Sequence, residues 1–130
     1  MSKQTYAGGV YHINYHFVWC PKFRRPVLAG DIPQRLQALI EGKAAELQGT
    51  VLALEIQPDH VHLFVQMPPR WSPAQIAFRL KGYTSHVLRQ EFPFLRRRLP
   101  SLWSRSYYVG TAGNVSAATI RRSIEAQKGR

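Results

Sequence analysis

Between residues 11 and 20, bulky residues alternate with smaller or polar ones. Tyr11, Ile13, Tyr15, Phe17 and Trp19 fall on one side, and His12, Asn14, His16, Val18 and Cys20 on the other. A period of two built from aromatic and β-branched residues predicts a strand, ended by Pro21. Residues 22–30 read as a basic loop. From residue 31 to 48 the period becomes helical. Ile32, Leu36, Leu39, Ile40 and Leu47 form one apolar stripe, Asp31 is placed to cap it, Pro33 suits the first turn and Gly49 closes it. Residues 51–57 and 61–67 read as two more strands joined by the tight turn Pro58-Asp59, an antiparallel hairpin. Ser72-Pro73 opens a second helix to about residue 92, with Ile76, Leu80, Tyr83 and Val87 as its buried stripe and Pro93 as its stop. Residues 94–102 read as a basic connection. A fourth strand is predicted around Tyr107-Tyr108-Val109, Gly113-Asn114 as a turn, and Ser116 as the cap of a last helix to about residue 128.

The order strand, helix, strand, strand, helix, strand defines an α+β class. It predicts a ferredoxin-like βαββαβ antiparallel sheet with helices packed on it, plus an added C-terminal helix. The 130 residues suit a single domain spanning 1–130, with 1–9 expected to be flexible, and 45% hydrophobic residues suffice for a core. Cys20 is the only cysteine, which excludes a disulfide scaffold and a cysteine-rich zinc site. No apolar run approaches the roughly 18 residues of a membrane helix. Residues 1–9 contain no apolar signal core, so a cytoplasmic location without membrane attachment is expected.

Eighteen Lys and Arg against seven Asp and Glu leave a net charge of +11. The cations are spread over several segments rather than gathered in a tail, which suggests a folded surface with a positive face. Such an excess points to nucleic acid more than to a merely solvated surface. A membrane surface fits less well, because no helix joins a basic face to a broad apolar one.

His60-Val61-His62 begins the third strand. Residues i and i+2 of a strand share a face, so the two imidazoles lie side by side with Val61 opposite. Such a pair suits a divalent metal, and Asp59 is placed to orient one of the rings. The competing reading is a polar, half-exposed strand face.

The segment Pro58-Asp59-His60-Val61-His62-Leu63 closely resembles the His-hydrophobic-His motif of the single-tyrosine HUH transposases of the smallest insertion sequences, which move as single-stranded DNA. Three further stretches resemble the same family: residues 15–28, Leu80-Lys81-Gly82-Tyr83-Thr84-Ser85, and the run Val115-Ser116, Thr119-Ile120, Ile124-Glu125 and Gln127. The resemblance implies a DNA transposase in which a helix tyrosine attacks single-stranded DNA and becomes joined to the 5′ phosphate. It implies Mg²⁺ or Mn²⁺ held by His60, His62 and Gln127. It also implies binding of a DNA hairpin with flanking single strand, for which Lys22, Arg24, Arg25, Arg79, Lys81 and Arg89 are candidate phosphate contacts and Tyr83 and Phe23 candidate stacking residues. A homodimer is implied as well, with the last helix of one subunit acting on the histidines of its partner. Trp19, Trp71 and Trp103 are read as packing residues.

One position departs from the family. Ser123 stands where the tyrosine nucleophile is expected, on the same helix face as Thr119 and Gln127. A serine hydroxyl is far less acidic than a phenol and reaches less far, so this chain is expected to be cleavage-deficient. Three accounts stay open: an inactivating substitution in an otherwise intact enzyme, a domesticated non-catalytic DNA- or RNA-hairpin-binding dimer, or substitution by Ser123 itself, Tyr107 or Tyr108. The tyrosines are more simply read as core and sheet residues. A small metal-dependent hydrolase using His60 and His62 ranks behind, for want of a third ligand at an obvious spacing.

Overall fold

Alternation in the first strand places three large rings on one side of the backbone, and that side becomes the core. The computed structural model of the protein describes residues 12–111, together with the short strands Thr5–Tyr6 and Gly9–Val10, which pair antiparallel with each other. Strand β1 (Ile13–Trp19) buries Tyr15, Phe17 and Trp19. Helix α1 (Ile32–Glu46) follows, then β2 (Thr50–Gln57), β3 (His60–Met67), helix α2 (Pro73–Glu91), a short helix α3 (Phe94–Arg98) and β4 (Tyr108–Thr111). The sheet order is β4-β1-β3-β2, antiparallel throughout. With β3 inserted between β1 and β2, this is the ferredoxin-like split βαβ arrangement that the pattern predicts. The added C-terminal helix lies outside the described residues.

Val61, Leu63, Val65 and Met67 of β3 join the buried rings of β1 in one cluster with Ile32, Leu36, Leu39 and Ile40 of α1 and Ile76, Leu80 and Leu88 of α2. The helices therefore cover one face of the sheet, and the even-numbered residues of β1 and β3 occupy the other. A bulge at Leu52 in β2 puts both Leu52 and Ala53 on that second face, against Phe64.

Four local details depart from the sequence expectations. Asp31 does not cap α1 through its side chain. Its backbone is already helical (φ −84°, ψ −8°), whereas a side-chain cap needs an extended residue. The stripe of α2 runs through Ile76, Leu80, Thr84 and Leu88 in steps of four, with Ala77 beside it, and leaves Tyr83 37% exposed with Lys43 Nζ 4.3 Å from its ring centre. The basic stretch after Pro93 contains helix α3, anchored by buried Leu95, with Leu99 buried just beyond it. The left-handed residue that ends α1 is Gln48 (φ 66°) rather than Gly49. The amide of Gly49 donates to Ala44 O and that of Gln48 to Ala45 O, the two bonds of a Schellman end. Gly49 is required for another reason: a Cβ there would collide with Met67 Sδ and the Gln66 carbonyl. Ser72 does cap α2 as expected, in a reciprocal box with Gln75.

Trp103 is buried and donates from Nε1 to Thr84 Oγ1 at 3.0 Å, while Thr84 Oγ1 donates to Leu80 O at 2.8 Å. Trp103 also stands edge-on to Trp19, with ring centres 5.9 Å apart. Trp71 is half-buried, donates from Nε1 to Leu47 O, and carries the guanidinium groups of Arg70 and Arg79 within 5 Å of its ring centre. Among the described residues, no helix is long and apolar enough to cross a membrane.

Candidate metal and nucleic-acid site

On the sheet face away from α1 and α2, strand register sets two rows of side chains. One runs Tyr108, Val18, His62, Glu55, and the other Gly110, His16, Phe64, Ala53. His60 follows His62 on the same face, opposite Gln57. The rings of His60 and His62 have centres 4.9 Å apart and are nearly perpendicular. The side-by-side placement expected from i, i+2 spacing is thus present.

Each ring is engaged at Nδ1. His60 Nδ1 lies 2.7 Å from Asp59 Oδ1, and Arg24 Nε donates to Asp59 Oδ2 at 3.2 Å. The hydrogen bond from His60, assisted by the charges of His60 and Arg24, holds the Asp59 carboxyl below the usual carboxylate range against the opposing effect of its burial. An ionised carboxylate only accepts, so the proton between them belongs to His60 Nδ1, and Asp59 orients this ring. His62 is 9% exposed, and its Nδ1 lies 3.3 Å from His16 Nε2. Burial first, then the charges of His60 and His16, lower the His62 pKa to about 4, so this ring is neutral at physiological pH. Burial likewise lowers His16.

With Nδ1 occupied, the neutral form of an imidazole presents Nε2 as the remaining donor atom, which suits a divalent cation. Among the described residues no group of three or more His, Cys, Asp and Glu is arranged to hold a metal, so the pair can supply only part of a ligand set. The expected third ligand, Gln127, and the nucleophile position, Ser123, lie outside the described residues.

The predicted cations divide by what they touch. Arg24 is tied to Asp59, and Lys22 Nζ lies 5.4 Å from the Phe23 ring centre. Arg25 is exposed. All three belong to the loop beside the histidines, where Phe23 (φ 59°) and Arg24 (φ 53°) are consecutive left-handed residues. That conformation costs about 1–2 kcal/mol per non-glycine residue. It holds Phe23 67% exposed, available for stacking rather than buried in the core. Lys81 is different: its ammonium donates to the carbonyls of Ser104, Arg105 and Ser106 at 2.8, 3.3 and 3.3 Å. It ties the approach to β4, and a phosphate would have to displace those bonds. Arg89 Nη1 donates to Leu99 O, and Arg79 lies against Trp71. Both stem from α2, in the layer behind the sheet.

One residue of the face escaped sequence reasoning. His16 is 46 positions from its hydrogen-bond partner, and only its place on the polar side of the first strand hinted at it. Of the two tyrosines read as core and sheet residues, Tyr107 packs against Phe17, and Tyr108 is a strand residue, 58% exposed beside His16.

A family model described as IS200-like transposase matches residues 9–127. The chain belongs to the IS200-like transposase family. The ISDra2 transposase TnpA of Deinococcus radiodurans is 33% identical over 122 residues, covering 92% of this IS200-like chain and 87% of that protein. The IS200 transposase of Salmonella typhimurium is 28% identical over 131 residues, covering 97% and 86%. A crystal structure of a Deinococcus radiodurans R1 transposase matches with a TM-score of 0.77 at 31% identity, over 98% of both chains. A REP-associated tyrosine transposase, solved bound to a REP hairpin, shares the fold with a TM-score of 0.62 at 16% identity, over 96% of this chain and 69% of that one.

Proposed function

We propose that this IS200-like transposase binds single-stranded DNA bearing a hairpin. In this reading His60, His62 and Gln127 form the metal-holding half of a strand-cleavage centre whose nucleophile position, Ser123, lacks the phenol. The observation that carries the reading is the histidine pair itself: two adjacent imidazoles, each engaged at Nδ1, beside a strongly basic loop. The hairpin-bound relative of the same fold supports the choice of DNA substrate.

Mg²⁺ or Mn²⁺ held there would polarise the scissile phosphate as a Lewis acid. The protein's own residues do the rest. Asp59 keeps the His60 proton on Nδ1 and couples that ring to Arg24. Arg25 and Lys22 offer positive charge to the phosphates flanking the cut, and Phe23 offers a face on which a base can stack. The Ser123 hydroxyl is weakly acidic and short, and a nucleophile misplaced on that scale loses orders of magnitude in rate. The chain acts as one domain and as a homodimer, with the last helix serving the partner's histidines.

The test is strand cleavage and covalent capture on hairpin-bearing single-stranded DNA with Mg²⁺ or Mn²⁺, comparing this chain with Ser123→Tyr. Cleavage gained by Ser123→Tyr supports a centre missing only its nucleophile. A covalent DNA–protein band from the unsubstituted chain sinks the claim of deficiency. Binding by both and cutting by neither leaves a hairpin-binding protein in place of a cleavage centre. Light scattering checks the dimer.

A further inference from the structure

Among the described residues, His60 Nδ1 faces a carboxylate that fixes its proton, whereas His62 Nδ1 faces another imidazole. Asp59 can do nothing but accept, so the His60 tautomer is determined. His16 can either accept or donate through Nε2, and the 3.3 Å separation from His62 Nδ1 is compatible with both directions. If His16 donates, the His62 proton lies on Nε2 and the ring has no lone pair left for a cation. If His16 accepts, the His62 proton lies on Nδ1 and Nε2 is free.

The surroundings of His16 make it a held partner. Its ring stacks on Phe64 with centres 4.1 Å apart and planes 7° from parallel. The Tyr108 ring meets it at 71°, with centres 5.7 Å apart. Tyr108 lies down over Gly110, the residue directly opposite His16 in the β1–β4 register, and a Cβ at Gly110 would meet the tyrosine hydroxyl at 2.6 Å. A flat face behind and an edge to the side fix the plane of His16 and aim Nε2 at His62.

We propose that His16 is the positioning residue for His62: it accepts the His62 Nδ1 proton at Nε2, carries its own proton on Nδ1, and so leaves His62 Nε2 as a lone-pair donor matching His60. This rests on the metal-site reading above for its consequence, but not for its hydrogen bond. His16 thereby serves His62 as Asp59 serves His60, with a neutral acceptor in place of a carboxylate on the more buried of the two rings.

The test uses the full ¹⁵N-labelled chain, freed of metal with EDTA at neutral pH, with the His62 tautomer read from long-range ¹H–¹⁵N spectra. The expected result is a proton on His62 Nδ1. His16→Phe keeps a stackable ring but removes the acceptor, and is expected to leave His62 in a mixture of tautomers and to weaken Mn²⁺ binding, followed by electron paramagnetic resonance, by about 10- to 100-fold. His16→Gln restores an acceptor and is expected to recover both. A His62 proton on Nε2 in the unsubstituted chain overturns the proposal even if His16→Phe fails to fold. So does a folded His16→Phe chain with unchanged tautomer and unchanged Mn²⁺ affinity. If the unsubstituted chain shows the Nδ1 proton, lost in His16→Phe, yet binds no Mn²⁺, the positioning stands and the metal-site reading is what fails.

Discussion

Replacing Thr84 by valine probes the interior beside the approach to β4 without changing its shape. Thr84 is fully buried, and its hydroxyl is the acceptor for the indole N–H of Trp103, itself 6% exposed. The carbonyl of Leu80 also receives that hydroxyl, but a helix carbonyl keeps its backbone bond when the hydroxyl is lost. The cost of Thr84→Val therefore falls on Trp103 Nε1, left as a buried donor without a partner, about 1–3 kcal/mol. The added methyl group recovers up to ~0.8 kcal/mol by burial. A net loss of about 1–2 kcal/mol is expected, enough to lower Tm by several degrees in a domain of this size. Guanidinium unfolding followed by far-ultraviolet dichroism gives the free energies. The decisive measurement is the cycle with Trp103→Phe, which removes the donor. In that background Thr84→Val should be neutral or stabilising, with a coupling of about 1–2 kcal/mol. A coupling indistinguishable from zero would refute the argument that this bond, rather than the packing around it, holds the indole.

Further outcomes are expected at other positions. In metal-free protein, His62 makes stability fall as pH drops. The unfolded chain protonates it near pH 6.5 and the folded chain only near 4, so between those values the unfolded state binds more protons. The loss reaches at most about 3 kcal/mol by pH 4 and stops growing below it, and His62→Gln should flatten that part of a pH series of urea melts. Lys81→Met should lower stability by about 1–3 kcal/mol through its lost carbonyl bonds while leaving the salt dependence of DNA binding unchanged. Arg25→Ala should do the reverse, reducing the slope of log affinity against log salt by about 1 in a fluorescence titration. Gly49→Ala should destabilise by about 1–3 kcal/mol through overpacking on Met67, read from urea midpoints.

Periodicity revealed most of the fold because it records which face each backbone segment buries. Tyr15, Phe17 and Trp19 announced β1, and the spacing of Ile32, Leu36, Leu39 and Ile40 announced α1. Helix α3 was hidden because Arg96 to Arg98 dominate a segment with prolines on both sides, and only Leu95 and Leu99, four apart, carry its burial. The exchange of roles between Gln48 and Gly49 was invisible because the collision at Gly49 comes from β3, 17 or more positions away. At the site, His60 and His62 were legible because i, i+2 spacing is local, and Asp59 because it adjoins them. His16 was not, since its meaning depends on the register between β1 and β3. Lys81 shows the opposite limit. Sequence gives the charge of a side chain but not whether backbone carbonyls already occupy it.

The placement of these histidines has a consequence for how such a protein can move. His16 and His62 stand on β1 and β3, the inner strands of the sheet, each bonded to neighbours along both edges. Inner strands open only when the domain as a whole opens, so their amides should exchange near the global limit. The spacing of the imidazoles is thus about as permanent as the fold. Under the proposed function, any motion that accompanies DNA binding is left to the DNA and to the exposed loop that carries Arg24 and Arg25. The sheet is a fixed frame for the imidazoles, and substitutions in that exposed loop leave their spacing as it is.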